Sequence, residues 1–168
     1  MLNVMLEMKY KFPEHQFIIA GAPSLPENLY KEIIGKHKVS LFYNVTYDLL
    51  EASEAALVTS GTATLETALF KVPQVVCYKG SWVSYQIGKR VVDLDYISLV
   101  NLILNKEAVT ELIQDDFNTK RLKKELDVLL NAYERTKFFV NYYELEKDLG
   151  GKGASEKTAN GIISSIKI

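Results

Sequence analysis

The segment from Ser60 to Glu66 holds the residues best suited to chemistry in this chain of 168 residues. It reads Ser-Gly-Thr-Ala-Thr-Leu-Glu, and it lies between an apolar run that ends at Val58 and a helical pattern that continues to Phe70. A turn of small residues between a strand and a helix directs free backbone N–H groups at an anion, and the helix dipole adds about half a positive charge. The pattern therefore indicates an anion site.

The hydroxyl and carboxylate side chains of this segment indicate which kind of anion it could bind. Gly61 allows a phosphate to approach the backbone, and the hydroxyls of Ser60, Thr62 and Thr64 can donate to its oxygens. Glu66 lies one helical turn further on, where a carboxylate could accept from the two hydroxyls of a ribose. A nucleoside diphosphate fits this segment. A simpler interpretation stays open, in which Ser60 or Thr62 is only an N-cap and Glu66 is a first-turn acid that the helix dipole favours.

Composition narrows the class of protein. A formal net charge of -1 argues against a non-specific nucleic-acid binder, which would carry a clear basic excess. The chain has no long uncharged apolar stretch that could span a membrane, and residues 1–6 are too short an apolar run for a signal peptide. Cys77 is the only cysteine, which excludes a disulfide framework and favours a buried structural thiol. We therefore expect a cytoplasmic protein.

Apolar runs alternate with helical patterns along the first half of the chain. We predict strands at 16–20, 39–43, 55–59 and 74–78, with helices at 2–12, 26–34, 46–52 and 62–70. Strands that are apolar on both faces and separated by helices predict a parallel, doubly wound α/β sheet covered on each side. Ligands of such sheets bind beyond the carboxyl ends of the strands, where the Ser60 turn falls.

The second half of the chain is predicted to be helical, with helices at 82–92, 118–131, 132–149 and 154–166. Glycines at 150, 151 and 153 divide a nucleotide-binding domain, 1–149, from a carboxyl-terminal linker and helix, 150–168. The chain opens on a helix, although a helix in a doubly wound sheet normally follows a strand. We therefore expect the first strand of the sheet to be missing from this chain.

From Ala52 to about Phe117 the sequence resembles lipid-A-disaccharide synthase. The resemblance rests on four segments in the family's order and spacing, namely 52–66, 72–79, 96–101 and 111–114. Weaker flanks fit the rest of that family's carboxyl-terminal domain. Two departures are clear: Lys79 stands where the family has arginine, which loses the bidentate fork, and Val100 replaces a proline.

The resemblance implies a GT-B glycosyltransferase with two Rossmann-like domains, of which this chain would be the donor-binding, carboxyl-terminal one. The family transfers diacylglucosamine from UDP to a lipid monosaccharide acceptor, 2,3-diacylglucosamine 1-phosphate, with inversion and release of UDP in lipid A biosynthesis. No cofactor or metal is implied. We also expect peripheral contact with the cytoplasmic face of the inner membrane, a homodimer, and no nucleic-acid partner.

The resemblance also assigns site residues. The diphosphate would be held by Ser60, Gly61, Thr62 and Thr64, the ribose by Glu66, and the donor side of the cleft would be lined by Tyr78, Lys79, Asn101, Glu111 and Gln114. Local interpretations remain open for four of these positions: a strand-end aromatic for Tyr78, a cap or turn former for Asn101, a helix acid for Glu111 and a surface residue for Gln114.

The sequence offers no convincing catalytic base. His15 and His37 are expected to be surface histidines, and the family's base would belong to the half that is absent here. We therefore expect the chain alone to bind UDP weakly and to catalyse nothing. In the transfer reaction itself, Lys89 or Arg90 would assist by meeting the charge of the leaving diphosphate. The helix around Trp82 is expected to pack in the core rather than on a membrane. Two alternatives stay open: a UDP-sugar 2-epimerase domain and a non-catalytic nucleotide-binding fragment.

Overall fold

The computed structural model describes residues 1–81 and 95–166. The helix predicted at 82–92, together with Lys89 and Arg90, lies outside the described residues. The described strands are β1 Ile18–Gly21, β2 Ser40–Tyr43, β3 Ala56–Thr59, β4 Gln74–Tyr78 and β5 Thr110–Ile113. The described helices are α1 Leu2–Lys11, α2 Glu27–Ile34, α3 Thr46–Ala52, α4 Thr62–Leu69, α5 Leu99–Leu104, α6 Thr119–Leu129, α7 Ala132–Asp148 and α8 Ala154–Ile166, with a 3₁₀ turn at Gln114–Asp116.

All described strand pairs are parallel, which confirms the predicted α/β class. They form two open sheets rather than one, with the orders β1-β2 and β3-β4-β5. Ile18 pairs with Ser40 in the first sheet, whereas β4 is the central strand of the second. No ladder joins the two sheets within the described ranges. Their amino ends still approach each other, because His15 Nε2 lies 2.7 Å from Glu54 Oε2.

The hydrophobic core lies on both faces of β4. On one face Val75 and Cys77 pack with Leu112 of β5 against α1 and α6. On the other face Val76 and Val109 pack against α4, α5 and α7. Alternate residues of one strand thus serve opposite faces, as expected for a parallel sheet between two helical layers.

Two described elements, β5 and α5, were not predicted from the sequence. Strand β5 reads Thr-Glu-Leu-Ile, and its charged second residue hides it from a search for continuous apolar runs. Helix α5 has only six residues, Leu-Val-Asn-Leu-Ile-Leu, which is too short for a helical period to stand out. Most of the other predicted strands and helices agree with the structure to within one or two residues.

The last helix, α8, has no buried residue, and Ile162, Ile163 and Ile166 are more than half exposed. Gly150, Gly151 and Gly153 before it have positive φ, a backbone conformation that glycine adopts without strain. The division of the chain near residue 150 stays a prediction. None of the helices in the described part of the chain has the length and apolar character needed to cross a membrane.

Candidate anion site at the carboxyl ends of β3, β4 and β5

Helix α4 begins directly after β3 without a side-chain cap. Its N-cap is Gly61, at φ 150° and ψ −164°, and no described side chain caps the helix. The interpretation of Ser60 or Thr62 as a simple N-cap is therefore wrong. A Cβ added at Gly61 would meet no atom within 4 Å among the described residues, although the positive φ still favours glycine. As far as the described residues go, the start of α4 is thus open at Gly61.

The three hydroxyls of this turn have different roles. Ser60 Oγ donates to the carbonyl oxygen of Ile97 at 3.1 Å, and Thr64 Oγ1 donates to the carbonyl oxygen of Gly61 at 2.8 Å. Because a hydroxyl has one proton to donate, neither can also donate to a ligand in this conformation. Thr62 is exposed, and its hydroxyl has no partner in the described ranges.

Strand register brings further predicted site residues to the same edge of the sheet. Thr59 pairs with Cys77 and Tyr78 pairs with Ile113, so Ser60, Lys79 and Gln114 leave neighbouring strands at their carboxyl ends. Tyr78 is 40 % exposed. Lys79 is also exposed, and its ammonium group has no partner among the residues described here. The ammonium group of Lys79 is therefore available for an anion.

Gln114 is held in an unusual backbone conformation at the end of β5. Its φ of 51° lies in the left-handed region, which is uncommon for a residue with a side chain. Its Nε2 is buried without a hydrogen-bond partner in the described part of the molecule. The expectation of a simple solvated surface residue therefore does not fit, because the amide is screened from water.

Glu66 lies on the first turns of α4 and is partly exposed. Its carboxylate has no partner within residues 1–81 and 95–166. It is therefore free to accept hydrogen bonds from a ligand that extends along α4.

Asn101 faces the protein interior instead of the open edge. Its side chain is fully buried, and Nδ2 donates to the carbonyl oxygen of Val109 and to Glu111, both at 2.8 Å. Its Oδ1 accepts from the N–H groups of Ala108 and Val109 at 2.8 and 2.9 Å. Every polar group of this amide is thus used within the protein, which leaves none for a ligand.

Glu111 is a strand residue, so the interpretation as a helix acid is wrong. It belongs to β5, where it pairs with Val76 in the register. Its carboxylate accepts hydrogen bonds from Ile97 N–H, Ser98 N–H and Asn101 Nδ2 at 2.8–2.9 Å. The carboxylate therefore joins β5 to the residues that precede α5.

Sequence analysis missed a polar residue beneath α4, Gln74. It is fully buried at the start of β4, and its Nε2 donates to the carbonyl oxygen of Thr64 at 2.8 Å. The buried hydroxyl of Tyr142 lies beside it, and burial raises the pKa of that phenol. A glutamine that opens an otherwise apolar strand was the available signal, since buried polar side chains normally have a partner.

The histidines and the cysteine lie away from this edge. His15 precedes β1 and bonds to Glu54, which lies 39 residues further along the chain, so it is only partly exposed, whereas His37 is exposed. The predicted burial of Cys77 is confirmed, since 2 % of this residue is exposed. Burial raises the pKa of its thiol to about 12, which makes it a poor nucleophile.

The structure is that of an α/β protein with a parallel, helix-covered sheet. This architecture is consistent with one Rossmann-like half of a GT-B fold. A family model described as lipid-A-disaccharide synthetase matches residues 1–162. The chain belongs to this family.

Curated relatives agree with the family match. The lipid-A-disaccharide synthase of Syntrophus aciditrophicus is 39 % identical over 156 residues, which cover 90 % of this chain and 41 % of the relative. The synthase of Geobacter sulfurreducens is 32 % identical over 165 residues, covering 95 % of this chain and 42 % of the relative. That of Persephonella marina is 38 % identical over 154 residues. The chain thus spans less than half the length of these relatives.

Proposed function

We propose that this chain is the donor-binding half of a lipid-A-disaccharide synthase. The enzyme would transfer 2,3-diacylglucosamine from UDP to 2,3-diacylglucosamine 1-phosphate with inversion and release UDP. The observation that carries the proposal is the start of α4, which among the described residues has no side-chain cap and has open space beside Gly61. Membership of the lipid-A-disaccharide synthetase family supports a sugar nucleotide as the ligand.

The hydrogen bonds of the three hydroxyls separate residues that would contact the diphosphate from residues that hold the turn in place. In this proposal the diphosphate is bound by the first N–H groups of α4, by the exposed hydroxyl of Thr62 and by the ammonium group of Lys79. Ser60 and Thr64 support the turn, because their protons are already donated to carbonyl oxygens. This assignment revises the expectation that all three hydroxyls contact the phosphates.

The remaining roles follow from the same edge of the sheet. Glu66 would accept from the ribose hydroxyls. Gln114 would line the donor side, and its side chain would have to turn for the buried, unpaired Nε2 to reach the donor. Tyr78 would line the cleft beside them. Positive charge from Lys79 and the amides would stabilise the leaving UDP, which is the contribution to transfer that this half can make.

Calorimetric titration with UDP tests the donor site. We expect weak but measurable binding by the chain alone, and Glu66→Ala should weaken UDP more than inorganic phosphate, because only UDP carries a ribose. Glu51→Ala, an exposed glutamate on α3, is the matched control. Absence of binding at millimolar UDP would contradict the proposal, and equal losses for both ligands would exclude the ribose role of Glu66.

A second comparison tests the division of the hydroxyls. Thr62→Val should reduce UDP affinity about 10-fold by removing one hydrogen bond to a charged group. It should leave the free energy of unfolding almost unchanged. Thr64→Val should instead lower the free energy of unfolding, because the buried bond to Gly61 is lost. The reverse pattern would show that the assignment of the two threonines is wrong.

We further propose that the chain alone has no transferase activity, since no described residue at this edge is placed to act as the base. Release of UDP from the nucleotide sugar in the presence of the acceptor measures this directly. Contact with the cytoplasmic face of the inner membrane is proposed from the lipid substrates of the family, and dimerisation from the exposed isoleucines of α8. Flotation with anionic vesicles and light scattering test these two properties.

A further inference from the structure

The segment that carries Ile97 connects two parts of the candidate site. The N–H group of Ile97 donates to Glu111 Oε2 at 2.9 Å, and its carbonyl oxygen accepts from Ser60 Oγ at 3.1 Å. One residue is therefore bonded at both ends, on one side to β5 and on the other to the turn before α4. A movement of the Glu111 carboxylate would be transmitted to Ser60 through a single residue.

The position of the Glu111 carboxylate is itself defined by buried groups. Oε1 accepts from Ser98 N–H at 2.9 Å and from Asn101 Nδ2 at 2.8 Å. Ser98 and Asn101 are fully buried, and the amide of Asn101 is bonded to the backbone around Val109. Three hydrogen bonds thus restrict the carboxylate to one conformation.

A carboxylate here is costly unless it has a specific use. Glu111 is partly buried, and its described partners are hydrogen-bond donors without a full positive charge. Removing a carboxylate from water is unfavourable, and the three hydrogen bonds that it accepts offset this cost. What the carboxylate provides is a fixed spacing between β5 and the turn at Gly61.

We propose that Glu111 is a positioning residue for the diphosphate subsite. It acts through Ile97 and Ser60 on the orientation of the Gly61 turn, and it does not touch the ligand. Donors that are already oriented bind an anion more tightly, because no ordering cost is added on binding. This inference rests on the proposed function, since the orientation of the turn affects affinity only if a diphosphate binds there.

The first experiment compares UDP with uridine on Glu111→Gln. Glutamine keeps the size of the side chain but places an NH₂ group against an N–H donor, which breaks a bond to Ile97 or Ser98. We expect about a 10-fold loss of UDP affinity, the equivalent of one hydrogen bond to a charged group, and less than a 2-fold change for uridine. Glu107→Gln, an exposed position nearby, is the matched control and should change neither value.

A double-mutant cycle separates positioning from a general loss of structure. If Glu111 acts through Ser60, Glu111→Gln should weaken UDP binding little further once Ser60→Ala is present. Two independent effects would instead multiply. Equal losses for UDP and uridine in Glu111→Gln would also overturn the proposal, because a general loss of structure does not distinguish the diphosphate from the nucleoside.

A ligand-free measurement separates this proposal from the donor-site proposal. Amide hydrogen exchange is followed at Thr64, whose N–H group donates to the carbonyl oxygen of Gly61 at 3.2 Å. It should be at least about 5-fold faster in Glu111→Gln than in Glu107→Gln, while exchange at Val76 stays unchanged. If the unmodified chain binds no UDP, the proposed function fails and this exchange decides the positioning link. Unchanged exchange at Thr64 overturns the link. If Glu111→Gln does not fold, Glu111→Asp replaces it, since the shorter carboxylate cannot span the same distance.

Discussion

The two parallel sheets differ sharply in how they are packed. In β4 the residues Gln74 to Cys77 are all buried, and helices cover both faces of its sheet. In β1 only Gly21 is buried, and β2 has no buried residue. Between residues 13 and 49 the one buried apolar side chain is Ile34. The sheet that carries the candidate site is therefore the well-packed one, and the other is held mainly by its own ladder.

This difference bears on function, because a binding turn is only as well oriented as the elements beneath it. The turn at Gly61 rises from β3, and β3 is paired with the buried strand β4. Among the described residues, β1 and β2 have no buried strand beside them, and Phe42 of β2 is 46 % exposed. Low apolar burial predicts that β1 and β2 open at a lower free energy than β4.

The largest expected effect comes from a leucine-to-alanine substitution, which is made in each of the two sheets to test their difference in packing. Leu112→Ala removes a fully buried side chain from the core next to β4 and should cost about 3–4 kcal/mol of unfolding free energy. Leu41→Ala in β2 removes a partly exposed side chain and should cost about 1 kcal/mol. Urea unfolding measures both. Similar losses for the two variants would show that the packing difference has no energetic counterpart.

A second prediction concerns the buried hydrogen bonds beside the well-packed sheet, β3-β4-β5. Asn101→Ala should cost about 3 kcal/mol, because it leaves the buried N–H groups of Ala108 and Val109 without their acceptor. Asn131→Ala removes only the cap of α7, where the side chain accepts from exposed N–H groups, and should cost about 1 kcal/mol. The same urea titration compares them. A cost for Asn101→Ala no larger than that of the cap would mean that water replaces the lost amide.

Around the well-packed sheet, the sequence predicts the individual strands and helices better than the hydrogen bonds that join them. The strand at Gln74–Tyr78 and the helix after Gly61 follow from an apolar run and a helical period, which depend on neighbouring residues only. The bond between Ser60 and Ile97 joins residues 37 positions apart, and no periodicity reports it. The same limit applies to Asn101: the family resemblance places it on the donor side of the cleft, and only the fold shows that the partners of its side chain lie inside the protein.

Strand β5 illustrates the physical reason most clearly. Glu111 breaks the apolar run that would mark a central parallel strand, since such strands are normally apolar on both faces. The charge is tolerated there because three donors from other segments converge on it. The donors lie 10 to 14 residues earlier in the chain, so no pattern of neighbouring residues reports them.

The smallest expected effect uses Cys77 as an internal probe of the packed sheet. Burial raises the pKa of its thiol from 9.0 to about 12. Below pH 9 the thiol is neutral in both the folded and the unfolded chain, so its contribution to stability is fully present there. Above pH 9 it ionises first in the unfolded chain, and the contribution is lost as the pH rises towards 12. The difference in unfolding free energy between the wild type and Cys77→Ala should therefore shrink by up to about 1.4 kcal/mol per pH unit above 9.

Urea unfolding of both variants at pH 7, 9 and 10 measures the difference, because the other alkaline titrations cancel between them. A constant difference over this range would mean that the thiol is exposed to water in the folded chain, and the contrast between β4 and the half-exposed strands β1 and β2 would then be weaker than their burial indicates.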